Sequence, residues 1–421
     1  MAITDKEEGV WGLDQVYNKI NQGGIWSYSS TGISQRMYMW GSNSYGLFLA
    51  GEPTNTRRSS PVQIPGDTWT TISMNSGGTC KAIKVDGTGW AWGYNFYGNV
   101  GVNDKTTYSS PKQIPGTNWR SMGVAGSHTE MGTKTDGTLW MWGWNRYGQL
   151  GQNSAGNPGP SPAGRLNSQS SPVQVLGTDW DKINSTKALY GNVAMIGACT
   201  KTDGTLWLWG NNENKQLGQG NTTDYSSPVQ VSGSWKKVVV GEECIMAQKT
   251  DGTLWSWGHN EGGVMGINAP APASYDEPQA VGTDTTWRDF DFSFVGTSAF
   301  ATKTDGTLWS WGYNGLGALG RNNISPARYS SPVQVPGTTW ASVGGSRDGA
   351  MVTKTDGTLW IWGKNNNGQL GTNEPTTIQR KSSPTQIGSA TGWTVEADSP
   401  YHWTLAGGPS NVNAALSDTS Q

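Results

Sequence analysis

The chain is poor in the residues on which most enzyme chemistry depends. Its 421 residues include three cysteines and three histidines. Cys80, Cys199 and Cys244 each lie shortly before an Asp-Gly pair, in separate segments, so they read as small buried apolar side chains and not as disulfide partners. His128, His259 and His402 share no metal-ligand spacing, and neither a Gly-x-Ser-x-Gly elbow nor a phosphate-binding glycine loop occurs. No catalytic residue, metal or cofactor is expected. Charge is also scarce: 14% of residues are charged and the net charge is −2, against ~25% charged residues in ordinary domains. Arg57-Arg58 and Arg380-Lys381 are the only close basic pairs in the loops, so the basic stripe of a nucleic-acid binder is missing. No apolar run approaches the ~20 residues of a membrane span. The opening residues Met-Ala-Ile-Thr-Asp-Lys-Glu-Glu form no signal segment, so synthesis in a cytoplasm without secretory export is expected.

Glycine and tryptophan are abundant, with 60 and 24 residues. Their placement is periodic. Trp-Gly-x-Asn occurs seven times, starting at Trp40, Trp92, Trp142, Trp209, Trp257, Trp311 and Trp362. A period of about fifty residues marks a repeat architecture. Upstream of six of these motifs stands Asp-Gly, at Asp86, Asp136, Asp203, Asp251, Asp305 and Asp356. Asp-Gly between alternating runs is a strong hairpin signal, because a type I′ turn needs positive φ at both central residues. The strand that follows, such as Thr205-Leu206-Trp207-Leu208-Trp209, is apolar on both faces, as a sheet packed between two others requires. Downstream come a glycine-framed turn, a polar loop and Ser-Ser-Pro opening a short strand, where proline fits an edge position. A further Trp opens each next unit: Trp69, Trp119, Trp180, Trp235, Trp287, Trp340 and Trp393.

Each unit therefore reads as four short strands, the size of one propeller blade. The expected fold is all-β: a seven-bladed β-propeller of four-stranded blades over residues 34–408. The chain enters mid-repeat at Arg36–Gly41 and leaves mid-repeat at His402–Ala406. A composite blade is expected, with two strands from each end, removing the open edges. Residues 1–33 form a separate arm and 409–421 a tail. In the arm, Leu13, Val16, Tyr17 and Ile20 recur at helical spacing and Gly23-Gly24 would stop a helix, so a short helix is expected over 10–22.

The pattern Lys-Thr-Asp-Gly-Thr-Leu-Trp-x-Trp-Gly-x-Asn-x-x-Gly-Gln-Leu-Gly, fullest at 132–151 and 353–371, resembles the RCC1 repeat, in its prokaryotic and phage form. That resemblance implies a seven-bladed propeller and no single activity. Residues Gly9–Tyr17 with Gly23–Trp26 are similar to a leader of tailed-phage virion proteins. It implies an anchor formed by Trp11, Leu13, Val16, Tyr17, Ile20 and Trp26, with other virion proteins as partners in a symmetric multimer on the particle surface.

Side chains in the variable slots are candidate rim contacts for a host-surface glycan or protein: Tyr45, Tyr94, Tyr97, Trp144, Tyr147 and Tyr313. The alternative is that these aromatics cover the neighbouring blade. The motif asparagines are expected to bond backbone in the turn after Trp-Gly. Asp289 and Asp291 share one side of a strand; an exposed strand face is favoured over a glycosidase-like acid pair. The longest repeat carries extra residues near 154–167, read as a projecting loop. Two functions are weighed: a non-enzymatic structural or adhesion protein of a tailed-phage virion, and a bacterial RCC1-like protein-interaction scaffold. A polysaccharide-degrading enzyme is the third and least supported.

Overall fold

Each Asp-Gly pair turns the chain at one end of a sheet and each Trp-Gly pair redirects it at the other. The computed structural model describes residues 36–43, 57–64, 68–74, 78–126, 128–154, 168–181, 183, 195–293, 296–315, 317–346, 348–366, 368–374, 380–393 and 403–408. The first strands are β1 (Arg36–Ser42) and β2 (Arg57–Gln63). Next come β3 (Trp69–Met74), β4 (Thr79–Lys84), β5 (Gly89–Gly93) and β6 (Tyr108–Gln113), then β7 (Trp119–Val124), β8 (Thr129–Lys134), β9 (Leu139–Gly143) and β10 (Gln169–Val175). They are followed by β11 (Ile196–Thr200), β12 (Leu206–Gly210) and β13 (Tyr225–Val231), and by β14 (Trp235–Val240), β15 (Cys244–Lys249), β16 (Leu254–His259) and β17 (Ser274–Ala280). The last are β18 (Trp287–Phe292), β19 (Ser298–Lys303), β20 (Leu308–Tyr313), β21 (Arg328–Val335), β22 (Trp340–Ser346), β23 (Gly349–Lys354), β24 (Leu359–Lys364), β25 (Arg380–Gln386) and β26 (Trp403–Gly408).

Among the described residues six sheets are built from consecutive strands, and five of these are four-stranded antiparallel meanders. The sixth, β11-β12-β13, has three strands, with Trp180 bridging to Lys201 beside it. A further three-stranded sheet has the order β2-β1-β26. The expectation of seven four-stranded blades is therefore corrected. The continuous repeats make six blades, and the sheet shared by both chain ends carries two strands from one side and one from the other. No α-helix occurs among the described residues; the only helical turn there is a 3₁₀ turn at Glu261–Gly263. The expected helix at 10–22 lies outside the described residues.

The repeat residues hold the sheets by one recurring network. In each Asp-Gly turn the Asp carboxylate accepts from the Thr two residues on, and that hydroxyl accepts the first strand Trp. Asp251 Oδ1 accepts Thr253 N–H at 2.9 Å and Thr253 Oγ1–H at 2.6 Å, while Trp255 Nε1 donates to Thr253 Oγ1 at 2.8 Å. The lysine before the turn lies between two indoles; Lys249 Nζ is 3.7 Å from the Trp255 ring centre and 5.3 Å from that of Trp235. The Trp-Gly indole ties each sheet to the preceding one, as Trp257 Nε1 donates to Gln216 O at 2.9 Å and Trp362 Nε1 to Ala318 O at 2.7 Å.

Asparagine then closes the loop. Asn212 Oδ1 accepts Leu217 N–H at 2.9 Å and its Nδ2 donates to Asn221 O at 2.9 Å. The same bonds recur at Asn145, with Leu150 N–H and Ser154 O. The asparagines thus bond backbone across the loop, as their position in the turn suggests. Glycine is required beside them. Gly143 has φ +94° and a Cβ there would stand 2.2 Å from His128 O; at Gly371, with φ +62°, it would meet the Trp40 indole at 2.5 Å.

The core lies between sheets. Ile196, Leu206 and Leu208 pack against Val238, Ile245 and Trp257 of the next sheet. Cys80, Cys199 and Cys244 are free and buried, and burial pushes the Cys199 thiol up to about 12.

Candidate functional site

Pairing of the central strands fixes what the Trp-Gly end displays. The residue in the variable slot after Trp-Gly donates its backbone N–H to the carbonyl of the residue preceding the central strand. Tyr94 so meets Gly78 at 2.8 Å, Trp144 meets His128 at 2.8 Å, Asn211 meets Met195 at 2.9 Å, His259 meets Glu243 at 2.7 Å and Tyr313 meets Thr297 at 2.8 Å. In the β22–β25 sheet the corresponding residues are Asp348 and Lys364, whose charged ends lie 3.9 Å apart. The backbone at these places is the same while the side-chain pairs are aromatic, amide, acidic-imidazole or ionic. At this rim the sheets share a backbone and differ in side-chain chemistry.

Four of the expected rim residues are drawn together or partly covered. The Tyr97 ring stacks on Trp144 at 5.1 Å and lies 4.7 Å from His128, which is 5.7 Å from Tyr94. Trp144 is 7% exposed, so it seals the seam between two sheets. Tyr147 is half-buried with the Arg146 guanidinium 5.3 Å from its ring, and burial raises its phenol. Tyr313, at 38% exposure, is the rim aromatic open to solvent. Burial pulls His128 down to about 4, leaving a neutral imidazole among aromatic rings. Trp11, Leu13, Val16, Tyr17, Ile20, Trp26 and Tyr45 lie outside the described residues. Of the 154–167 loop only Ser154 is described.

A second cluster at the same end is assembled by the fold. Glu243, His259 and Glu261 bring their ligand-type atoms within 4.8 Å of one another. Glu242 stands beside them; burial, then Glu243 and Glu261, raise its carboxyl to about 7. Glu243 is raised too, first by burial, with His259 opposing and Glu261 adding. The three residues come from a turn, a strand end and a 3₁₀ turn. Only strand pairing of Cys244 with Gly258 unites them, so no linear spacing reveals the group.

The Asp289–Asp291 pair is neither an exposed face nor an acid pair. Asp289 Oδ2 accepts Val343 N–H at 2.9 Å and Asp291 Oδ2 accepts Gly345 N–H at 2.7 Å, so both carboxylates fasten β18 to β22 of the next sheet. Lys237 Nζ adds a 2.5 Å bond to Asp289 from β14. Elsewhere the same position holds Ser121, whose hydroxyl accepts Ile183 N–H at 3.0 Å. At the opposite end of the sheets, the ring of Asp-Gly carboxylates is engaged by its own threonines, which lower these carboxyls below the usual range.

This fold and this repeat network define an RCC1-like β-propeller. The profile of the "Regulator of chromosome condensation (RCC1) repeat" matches residues 136–184, 203–248, 305–350 and 356–397, so the chain carries RCC1 repeats. Among curated proteins it is similar to the "Protein RCC2 homolog" of Danio rerio, 25% identical over 173 residues, 41% of this chain and 25% of that one. It is 26% identical over 182 residues to the "E3 ubiquitin-protein ligase HERC2" of Homo sapiens, covering 40% of this chain and 4% of that one. The chain thus spans a quarter or less of the length of these relatives. Human WBSCR16 superposes with a TM-score of 0.73 at 17% identity, covering 89% of this chain and all of that one. Yeast RCC1 (Prp20), solved bound to Kap60, gives 0.71 at 17% identity over 92% of each chain. These similar structures are those of eukaryotic proteins; a specifically phage or prokaryotic type is not among them.

Proposed function

We propose that the protein is a non-enzymatic interaction scaffold that holds a protein partner on the Trp-Gly rim of its propeller. One observation carries this reading. Repeat residues fix the same backbone bond in five sheets, while the two facing slots differ in chemistry from sheet to sheet, which gives a rigid and asymmetric recognition surface. The similar yeast protein Prp20p is described with binding properties to Gsp1p and histones, which supports a protein-binding role for such a propeller. A photo-crosslinking residue placed at Tyr313 or Lys364 should yield one discrete protein adduct in extract of the native source, and the same probe at Asp251 should not. Adducts of equal yield at both ends, or none at the rim, would overturn the reading.

The finer proposal, a tailed-phage virion component exposed on the particle, rests on the leader resemblance at Gly9–Trp26. In that setting Trp11, Leu13, Val16, Tyr17, Ile20 and Trp26 anchor the chain to other virion proteins, and the rim faces a host-surface glycan or protein. Electron microscopy of particles carrying the chain without residues 1–30 tests it. Normal occupancy of the truncated protein sinks the anchor.

A further inference from the structure

We propose that Glu243, His259 and Glu261 form a binding site for a borderline divalent cation of the Zn²⁺ class. The donors are one imidazole and two carboxylates, a set that suits such an ion. His259 Nε2 lies 3.9 Å from Glu243 Oε2, and all three ligand atoms lie within 4.8 Å of one another. Zn²⁺ holds such atoms at ~2.0–2.2 Å in tetrahedral geometry, which sets its ligand atoms roughly 3.3–3.6 Å apart. His259 and Glu243 stand near that spacing, and exposed Glu261 on its 3₁₀ turn is the arm that closes the rest, by about 1 Å.

The imidazole is held from behind. His259 Nδ1 is 3.0 Å from Ser274 Oγ on β17. With its proton on Nδ1 donated to that hydroxyl, the Nε2 lone pair is left for a metal, the usual arrangement of a metal-binding histidine. The loop that carries both outer ligands is fixed by the repeat asparagine between them. Asn260 Oδ1 accepts Met265 N–H at 3.0 Å and Asn260 N–H donates to Ala273 O at 2.7 Å. The backbone N–H of His259 is bonded to Glu243 O at 2.7 Å, which keeps the first two ligands in register. The equivalent positions of the next sheet, Thr297 and Tyr313, hold no such donors, and among the described residues this is the one group of its kind.

Isothermal titration of the untagged, chelator-stripped full chain with Zn²⁺ alone, in a non-coordinating buffer, tests the site. One equivalent should bind at micromolar or tighter concentration. His259→Ala and Glu243→Gln should each weaken binding at least about tenfold, Ser274→Ala about tenfold, and the exposed Glu277→Gln not at all. Glu261→Gln, on the surface turn, gives the same test without disturbing a strand, and tryptophan fluorescence verifies that each variant is folded. Absence of stoichiometric binding, or binding unchanged in both His259→Ala and Glu261→Gln, overturns the proposal. A preference for Ca²⁺ over Zn²⁺ would overturn the role of the imidazole.

Discussion

Lys81 and Glu130 illustrate what a single departure from the repeat costs. They form an ion pair between β4 and β8, and both side chains are 0% exposed. At the Lys81 position the other blades carry Met131, Ala198, Met246, Phe300 and Met351, and at the Glu130 position Cys80, Gly197, Ile245, Ala299 and Ala350. The site is an apolar one that has been ionised on both sides of a seam. Removing one partner strands the other charge in the core. Lys81→Met should therefore lower stability by about 3–5 kcal/mol in urea unfolding, whereas Lys81→Met with Glu130→Ile should return it to near the starting value or above. Equal losses in the single and double variants would show that the pair contributes more than charge compensation.

His128 makes a titration prediction at the same scale. Burial holds it down to about 4 in the fold, and its Nδ1 has no hydrogen-bond partner among the described residues. An unfolded histidine titrates near ~6.5. The stability that the neutral ring contributes is complete above that value and is lost as pH falls through the window down to about 4. The carboxylates of the Asp-Gly turns, lowered by their threonines, act only below this range. Thermal melts of wild type and His128→Phe should then diverge in slope between these two pH values and run parallel above them. Identical slopes would mean that the imidazole is solvated in the native state.

At the scale of elements, the carboxylate staples between strands carry the seams. Asp291 is buried and accepts a backbone N–H from β22. Hydrogen bonds to charged groups contribute about 1.5–3 kcal/mol, so Asp291→Ala should cost that much in urea unfolding, and Asp291→Asn less, because its amide oxygen still accepts. A cost near zero for Asp291→Ala would leave the seam to apolar packing alone. The strands themselves were legible in the sequence, since Asp-Gly, the paired tryptophans and Trp-Gly-x-Asn recur with fixed offsets and each has a local backbone reason. The staples were not, because Ser121 and Asp289 do the same task with different side chains and bond to residues more than fifty positions away. The rim shows the same division. Its variable slot is readable next to Trp-Gly, but its partners His128, Glu243 and Asp348 emerge only from strand register, and so the cation site stayed hidden.

For the whole molecule, the decisive joint is the sheet made by both ends. Strand β1 pairs with β26 from Arg36↔Gly408 to Gly41↔Trp403, and with β2 on its other side. Trp40 then donates its indole N–H to Gln369 O at 3.0 Å, which fastens this sheet to the blade of β22–β25. Contacts in a propeller run mostly between neighbouring sheets, so a ring opened at one seam loses one interface and exposes one strand edge while the distant interfaces persist. Ending the chain at Trp393 removes β26 and leaves β1 as that edge. Hydrogen exchange should then show protection lost first in β1 and β2, with β14–β17 on the far side holding nearly unchanged, and the thermal transition should fall and broaden. Uniform loss of protection across all sheets would instead mean that the ring behaves as one cooperative unit whose stability depends on closure, and unchanged protection in β1 would mean that pairing with β26 contributes little to it.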